Sequence, residues 1–395
     1  MDPRQNPYAP GAGAPPPELA GRNALIEQAE IALDRIRSGR YAKSLILVGL
    51  RGVGKTVLLN RIQQDAEAAG IQGVRIEAPE GRSLPGTLAP ALRSALIKID
   101  RTKATSAAVK KAFTALAGFV GAMKLKYGDV ELGVDVESEK GLADTGDLDV
   151  DLTELLIATG EAARERNTAI AVFIDELQYL EEDQLASLIT ALHRCAQQQL
   201  PITLLGAGLP QIVGQTGRAK SYAERLFEFP EIGPLDDDAA RLALSAPAEK
   251  EGVQFTDEAL DEILSKTQGY PYFIQEWGKH AWSVAAATPI TLADVVQATE
   301  QATADLDASF FRVRFDRLTP AEKNYLRAMA SLGPGPHRSG DIADKLSRKV
   351  NSLGPTRSSL IAKGMVYSPE HGDTAFTVPL FDQFMKRMMP RLPTA

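Results

Sequence analysis

Short, wholly apolar runs alternate along this chain with longer amphipathic stretches. Leu45-Ile-Leu-Val48, Ala169-Ile-Ala-Val-Phe-Ile174 and Ile202-Thr-Leu-Leu205 are near-continuous hydrophobic segments of strand length. Runs without polar alternation predict central parallel strands covered on both faces. Val74-Arg-Ile-Glu-Ala78 reads as a further strand. Between the strands lie helical stripes. The first starts at Asn23, a capping residue, and places Leu25, Ile26, Ala29, Ile31, Ala32, Leu33 and Ile36 on one face. Further helices are expected from Lys55 to about residue 69 and over about 87–100, 106–118, 152–166 and 183–198. Strands alternating with helices predict a doubly wound parallel α/β domain, with ligands at the carboxyl ends of its strands.

After Pro230 the strand pattern stops. Helices are expected over about 236–250, 256–267, 272–287 and 291–307, forming a small helical lid domain. Thr319-Pro320 is a capped helix start. Two short helices (339–346 and 352–363) follow, then two strand segments around a turn at 369–373, then a helix over 381–389. Three helices followed by a hairpin predict a winged helix-turn-helix. Two stretches fit neither pattern. Residues 1–17 are Pro, Gly and Ala with almost no aliphatic content, which predicts a disordered arm. Lys124–Tyr127 and Val130–Val136 alternate around Gly128-Asp129, a hairpin signal. Glu137, Glu139, Asp144, Asp147, Asp149, Asp151 and Glu154 then accumulate, which predicts a solvated acidic loop, a site for a cation or a basic partner being the alternative. The expected organisation is an arm over 1–17, an α/β domain over 18–232 with an insertion at about 119–151, a lid over 233–310 and a winged helix over 311–395.

Chemistry concentrates where the first apolar strand ends. Gly49-Leu50-Arg51-Gly52-Val53-Gly54-Lys55-Thr56, leading into Val57, is G-x-x-x-x-G-K-T between a strand and a helix. Its glycines let the backbone wrap a phosphate, and the helix dipole lies behind the loop N–H groups. Lys55 is expected on the β- and γ-phosphates of ATP, and Thr56 on Mg²⁺. The strand at 169–174 ends in Asp175-Glu176, which adds a metal-orienting carboxylate and a general base. Arg225, with Arg218 as the alternative, is the candidate for neutralising charge on the transferred phosphoryl group, in its own or a neighbouring subunit. Gly269-Tyr-Pro271 marks a corner between two lid helices.

Composition narrows the setting. With 44% hydrophobic residues, 24% charged residues and a net charge of −7, the chain has no general attraction to nucleic acid or anionic membrane. Residues 317–391 reverse this, with twelve basic residues against six acidic ones. A local surface for duplex DNA is therefore expected within 318–391, a protein-binding winged helix being the alternative. A single cysteine, Cys195, excludes a disulfide within the chain, and with no membrane-length apolar run a cytoplasmic protein is expected.

Together, Gly21-Arg22, GLRGVGKT at 49–56, VFIDELQYL at 172–180, GAGLPQ at 206–211, ERLF at 224–227 and GYPYFIQ at 269–275 resemble the AAA+/STAND-type P-loop ATPases, in particular archaeal replication-initiator ATPases. The resemblance implies an AAA+-like parallel sheet, a helical lid, a winged helix, ATP with Mg²⁺, and a nucleotide-dependent switch. It also implies Gly21 and Arg22 near the adenine and Pro271 in the lid's G-x-P element. Two positions depart from the family. Gly206-Ala-Gly208 offers no polar side chain where a sensor is usual, and Pro271 occupies the region of the second-sensor arginine. A signalling or defence ATPase that binds protein, and a nucleotide-binding module with little turnover, are the remaining alternatives.

Overall fold

The computed structural model describes every residue except 12, 79–81, 101–105, 131–141, 371 and 392–395. The chain divides into two compact units. One comprises residues 23–48 and 58–231, the other residues 1–22, 49–57 and 232–395.

The first unit is built on a five-stranded parallel sheet. Its strands are β1 (Ser44–Val48), β2 (Gln72–Glu77), β3 (Ile170–Asp175), β4 (Ile202–Gly208) and β5 (Phe227–Glu228), in the spatial order β2-β3-β4-β1-β5. Every residue of β1, β3 and β4 is buried, as their unbroken apolar sequences require. The helices of this region are α1 (Asn23–Arg37), α2 (Lys55–Ala68), α3 (Leu84–Asp100), α4 (Ala107–Tyr127), α5 (Leu148–Glu165), α6 (Glu182–Gln197), α7 (Gln211–Ala219) and the single turn α8 (Ala223–Leu226). The strand β5 is too short to leave a periodic signal. Its register, Ser44 opposite Phe227, makes it the edge beside β1.

The expected hairpin is corrected by α4. That helix runs through Lys124–Tyr127, burying Val109, Ala112, Ala115, Leu116, Phe119 and Met123 at helical spacing. Gly128, at φ 74°, is its C-cap, with its N–H donating to Lys124 O. A left-handed glycine serves helix ends and hairpin turns alike, so Gly128-Asp129 fits both readings in sequence. The other expected arm, 131–136, lies outside the described residues, as do Glu137 and Glu139. Of the remaining acids, Asp149 accepts from the Ser187 hydroxyl and pairs with Lys220 at 3.6 Å, and others are engaged locally. Asp147 caps α5, the buried Asp151 accepts from Thr145 and from Gly146 N, and Glu154 accepts from Ala143 N. Among the described residues no acidic or histidine cluster is arranged to hold a metal ion.

The second unit contains α9 (Asp237–Lys250), α10 (Asp257–Thr267), α11 (Pro271–Val284), α12 (Leu292–Leu306) and α13 (Arg312–Asp316), then α14 (Pro320–Ser331), α15 (Ser339–Lys345), α16 (Val350–Ala362) and α17 (Phe381–Met388). Its small antiparallel sheet has the order β6-β8-β7, from His337–Arg338, Asp373–Phe376 and Val366–Tyr367. The strand β6 is an addition to the expected hairpin. Thr319 and Glu322 form a reciprocal capping box at the start of α14. One core, including Phe273, Trp277, Trp282, Phe311, Tyr325, Phe381 and Phe384, runs continuously from the helices after residue 237 to α17.

The arm is likewise corrected. Tyr8 is buried, its ring lies against Gly278 and edge-on to Phe255, and its hydroxyl donates to Leu244 O. Asn6 Nδ2 donates to Lys279 O at 3.0 Å, and Trp282 Nε1 donates to Asp2 O at 3.0 Å. Composition alone misses this because one large aromatic residue anchors a segment that is otherwise poor in apolar side chains.

Candidate active site

The segment from Gly49 to Thr56 follows the carboxyl end of β1 and leads directly into α2. Gly52 and Gly54 have φ values of 82° and 92°, a left-handed backbone that favours glycine. At Gly49 the constraint is steric, since a Cβ would stand 2.2 Å from Ile232 O. Lys55 is buried, and its Nζ donates to Gly49 O and Leu50 O at 2.9 Å each. The ammonium is therefore fixed over the loop by the loop's own carbonyls.

Neighbouring segments of the same unit brace this loop through its backbone. Arg22 donates to Val53 O at 3.3 Å and to Gly233 O at 2.6 Å, and burial lowers its pKa. Gly21, at φ 68°, has no room for a side chain, because a Cβ there would lie 2.8 Å from the Ala239 methyl. Pro271 begins α11, and the next residue, Tyr272, donates its N–H to Gly52 O at 3.2 Å. Arg51 N donates to Thr377 O at 3.0 Å, just past β8. Sequence reasoning did not find Thr377, because its contact is made by the main chain. Gly13 also lies close, where a Cβ would be 3.3 Å from Thr56 Cγ2.

The carboxylates belong to the first unit. Asp175 is the last residue of β3 and is buried; one oxygen accepts from Glu176 N at 2.9 Å, and the other pairs with Arg75 on β2 at 3.3 Å. Burial lowers the Arg75 pKa, and the nearby charges of Asp175 and Glu77 partly restore it. An arginine inside a strand was the sequence signal for this partner. Glu176 adopts the left-handed conformation at φ 52°, ahead of a single 3-10 turn at Leu177–Tyr179. Left-handed backbone at a residue other than glycine is a strained arrangement often found at functional sites.

The carboxyl end of β3 stands two strands from that of β1 in the sheet order. Arg225 is not brought to that edge. It precedes β5, whose Phe227 pairs with Ser44 at the start of β1, so within its own chain Arg225 lies at the amino edge. Its carbonyl accepts from the Tyr41 hydroxyl at 2.9 Å. Arg218 is exposed on α7 and pairs with Glu182 at 3.7 Å. Thr203, within β4, meets the Ser44 hydroxyl at 3.2 Å inside the core.

The AAA ATPase domain family matches residues 18–205, and a domain of unknown function, DUF8462, matches residues 308–385. No curated protein matches the chain. Among solved structures, the Walker-type ATPase of Pyrococcus abyssi superposes with a TM-score of 0.60 at 16% identity, covering 93% of this chain and 96% of that one. The Aeropyrum pernix Orc1 protein in complex with DNA gives a TM-score of 0.48 at 16% identity, with 95% and 94% covered. The RuvB Holliday junction branch migration motor of Thermotoga maritima gives 0.45 at 15% identity, with 95% and 96% covered. The glycine-rich loop after β1, the acidic end of β3, the five-stranded parallel order and the family match agree: residues 18–205 carry an AAA ATPase domain, a nucleotide-dependent P-loop ATPase.

Proposed function

We propose that this ATPase is a nucleotide-dependent switch whose C-terminal region, read as a winged helix, contacts duplex DNA. In this reading Lys55 and the loop N–H groups hold the β- and γ-phosphates, and Thr56 and Asp175 hold Mg²⁺. The donor set suits that ion, since a hydroxyl and a carboxylate leave most of its coordination to water and phosphate oxygens. Glu176 accepts the proton of the attacking water as the bond between the γ-phosphorus and its bridging oxygen breaks. Arg225, at the amino edge of its own sheet, would act on a neighbouring subunit's nucleotide, which ties that role to self-assembly, and Arg218 is the alternative. The lone buried Cys195 and the absence, among the described residues, of a helix fit to cross a membrane suit a cytoplasmic setting.

One observation carries the switch. Gly52 O and Arg51 N of the phosphate loop are bonded to Tyr272 N in α11 and to Thr377 O beside β8. A loop that reshapes around a γ-phosphate strains or breaks main-chain bonds to both segments, so nucleotide state reaches the C-terminal region without a side-chain relay. A protein-binding winged helix is the second reading. It is favoured by the number of C-terminal basic residues held in internal contacts: Arg327, Arg357, Lys363, Lys386 and Arg387.

Nucleotide binding and phosphate release test the site. Lys55→Ala is expected to abolish binding of a fluorescent ATP analogue. Glu176→Gln is expected to keep the affinity and lower release about a hundredfold or more. Unchanged phosphate release in Glu176→Gln would remove Glu176 as the base.

A further inference from the structure

We infer that Gln178 is the positioning residue of the hydrolytic site, setting the orientation of the Glu176 carboxylate according to the backbone at the end of β4. The inference rests on the proposed role of Glu176 as base. Gln178 lies within the 3-10 turn after Glu176 and is buried, at 5% exposure. Its Oε1 accepts from Leu209 N at 2.9 Å, one residue past β4. Its Nε2 donates to Glu176 Oε2, and its own carbonyl accepts from Gln215 Nε2 at 3.2 Å.

The direction of the side-chain amide is chemically determined. A backbone N–H can only donate and an ionised carboxylate can only accept, so the amide oxygen faces Leu209 and its NH₂ faces Glu176. No other neutral side chain of this length satisfies both partners at once. The end of β4 fits this contact closely: a Cβ at Gly208 would stand 3.0 Å from Gln178 Oε1, so a larger residue at 208 would crowd the seated amide and make it give by a few tenths of an ångström. Gly206-Ala-Gly208 lacks a polar side chain, yet the Leu209 N–H gives the strand end a polar group that reaches Glu176 through one amide. Movement of the β4 terminus therefore shifts the base, and a small displacement of a catalytic group has a large effect on rate.

Three variants test this against Glu176→Gln as the reference. Gln178→Glu keeps an acceptor for Leu209 N but replaces the donor to Glu176 with a second carboxylate. Gln178→Met removes both bonds at similar volume, and Gly208→Ala crowds the amide seated on Leu209 N. For all three, kcat is expected to fall about tenfold to a hundredfold with ATP-analogue affinity within about twofold of wild type. A merely structural role would lower thermal stability and affinity together, whereas a positioning role lowers kcat alone. A Gln178→Glu enzyme with wild-type kcat, while Glu176→Gln is inactive, overturns this inference alone. Full activity in Glu176→Gln overturns the base on which it rests.

Discussion

At the scale of single residues, a buried polar group stabilises the fold where its bonds are completed. Glu322 shows how much one such site contributes. Burial acts to raise its pKa, but the hydrogen bonds from Lys363, from Thr319 and from Ser359 outweigh it and hold the carboxyl at about 2, below the ordinary 4.5. A carboxyl depressed in the folded state stabilises it fully above the unfolded pKa, and that stability is lost as pH falls towards the folded value. The shift corresponds to about 3 kcal/mol. Urea unfolding should therefore find Glu322→Gln less stable than wild type by about that amount at pH 7, with the gap closing progressively below pH 4.5. A gap that stays constant down to pH 3 would mean that the ion pair contributes nothing. The sequence already carried half of this site, because Thr319-Pro-Ala-Glu322 is a capping box on its face. Ser359 arrives from α16 and Lys363 from its C-cap, and no local pattern announces a partner about forty residues away. The same holds at the nucleotide loop. The run from Gly49 to Thr56 declares itself through glycine, lysine and threonine spacing, and Asp175-Glu176 through its place at the end of an apolar strand. Gln178 and Thr377 are legible only once strands and turns are assembled.

At the scale of elements, unbroken apolar runs marked β1, β3 and β4, and the capped start at Thr319-Pro320 marked α14. What failed did so for identifiable reasons. The helix α4 continues through Lys124-Leu-Lys-Tyr127, where alternation over four residues imitates a strand. The edge strand β5 has two residues and no period. The arm shows how one anchor overrides composition. Tyr8 fills a site that exists because Gly278 has no side chain; a Cβ there would come within 2.7 Å of the Tyr8 ring. Removing a buried ring of this kind costs about 3 kcal/mol, more than a short segment with few other buried residues can recover. Tyr8→Ala and Gly278→Val are both expected to release the arm while the AAA ATPase domain stays folded. Trypsin cleavage after the exposed Arg4 should accelerate at least tenfold in either variant. Cleavage of the wild-type chain at the rate of an unstructured peptide would show that the arm is not docked.

At the scale of the whole molecule, one apolar core extends from α9 to α17. Deleting the last segment to test its binding would expose that core, so loss of binding by the truncated chain would say little about the surface itself. Point charges are the better probe. Of the twelve basic residues in this region, Arg357 bridges α16 to the small sheet, donating to Thr374 Oγ1, Ser368 Oγ and Asp373 O at 2.8 Å each, and serves the fold. Arg338, Lys345, Arg348 and Lys349 are different. All four are exposed, they lie at β6 and around the turn between α15 and α16, and their side chains make no hydrogen bond or ion pair among the described residues. If the region contacts duplex DNA, the phosphate contacts belong here. Reversing two charges, Arg348→Glu with Lys349→Glu, should then weaken duplex binding at low salt about tenfold or more. It should also flatten the slope of log K against log salt concentration by about 2, because each phosphate contact releases close to one counterion. Nucleotide affinity should be unaffected, since neither residue touches the loop. Arg357→Ala should instead lower the melting temperature. Wild-type protein without salt-dependent duplex binding, or a reversal variant that keeps both affinity and slope, would assign this surface to a protein partner.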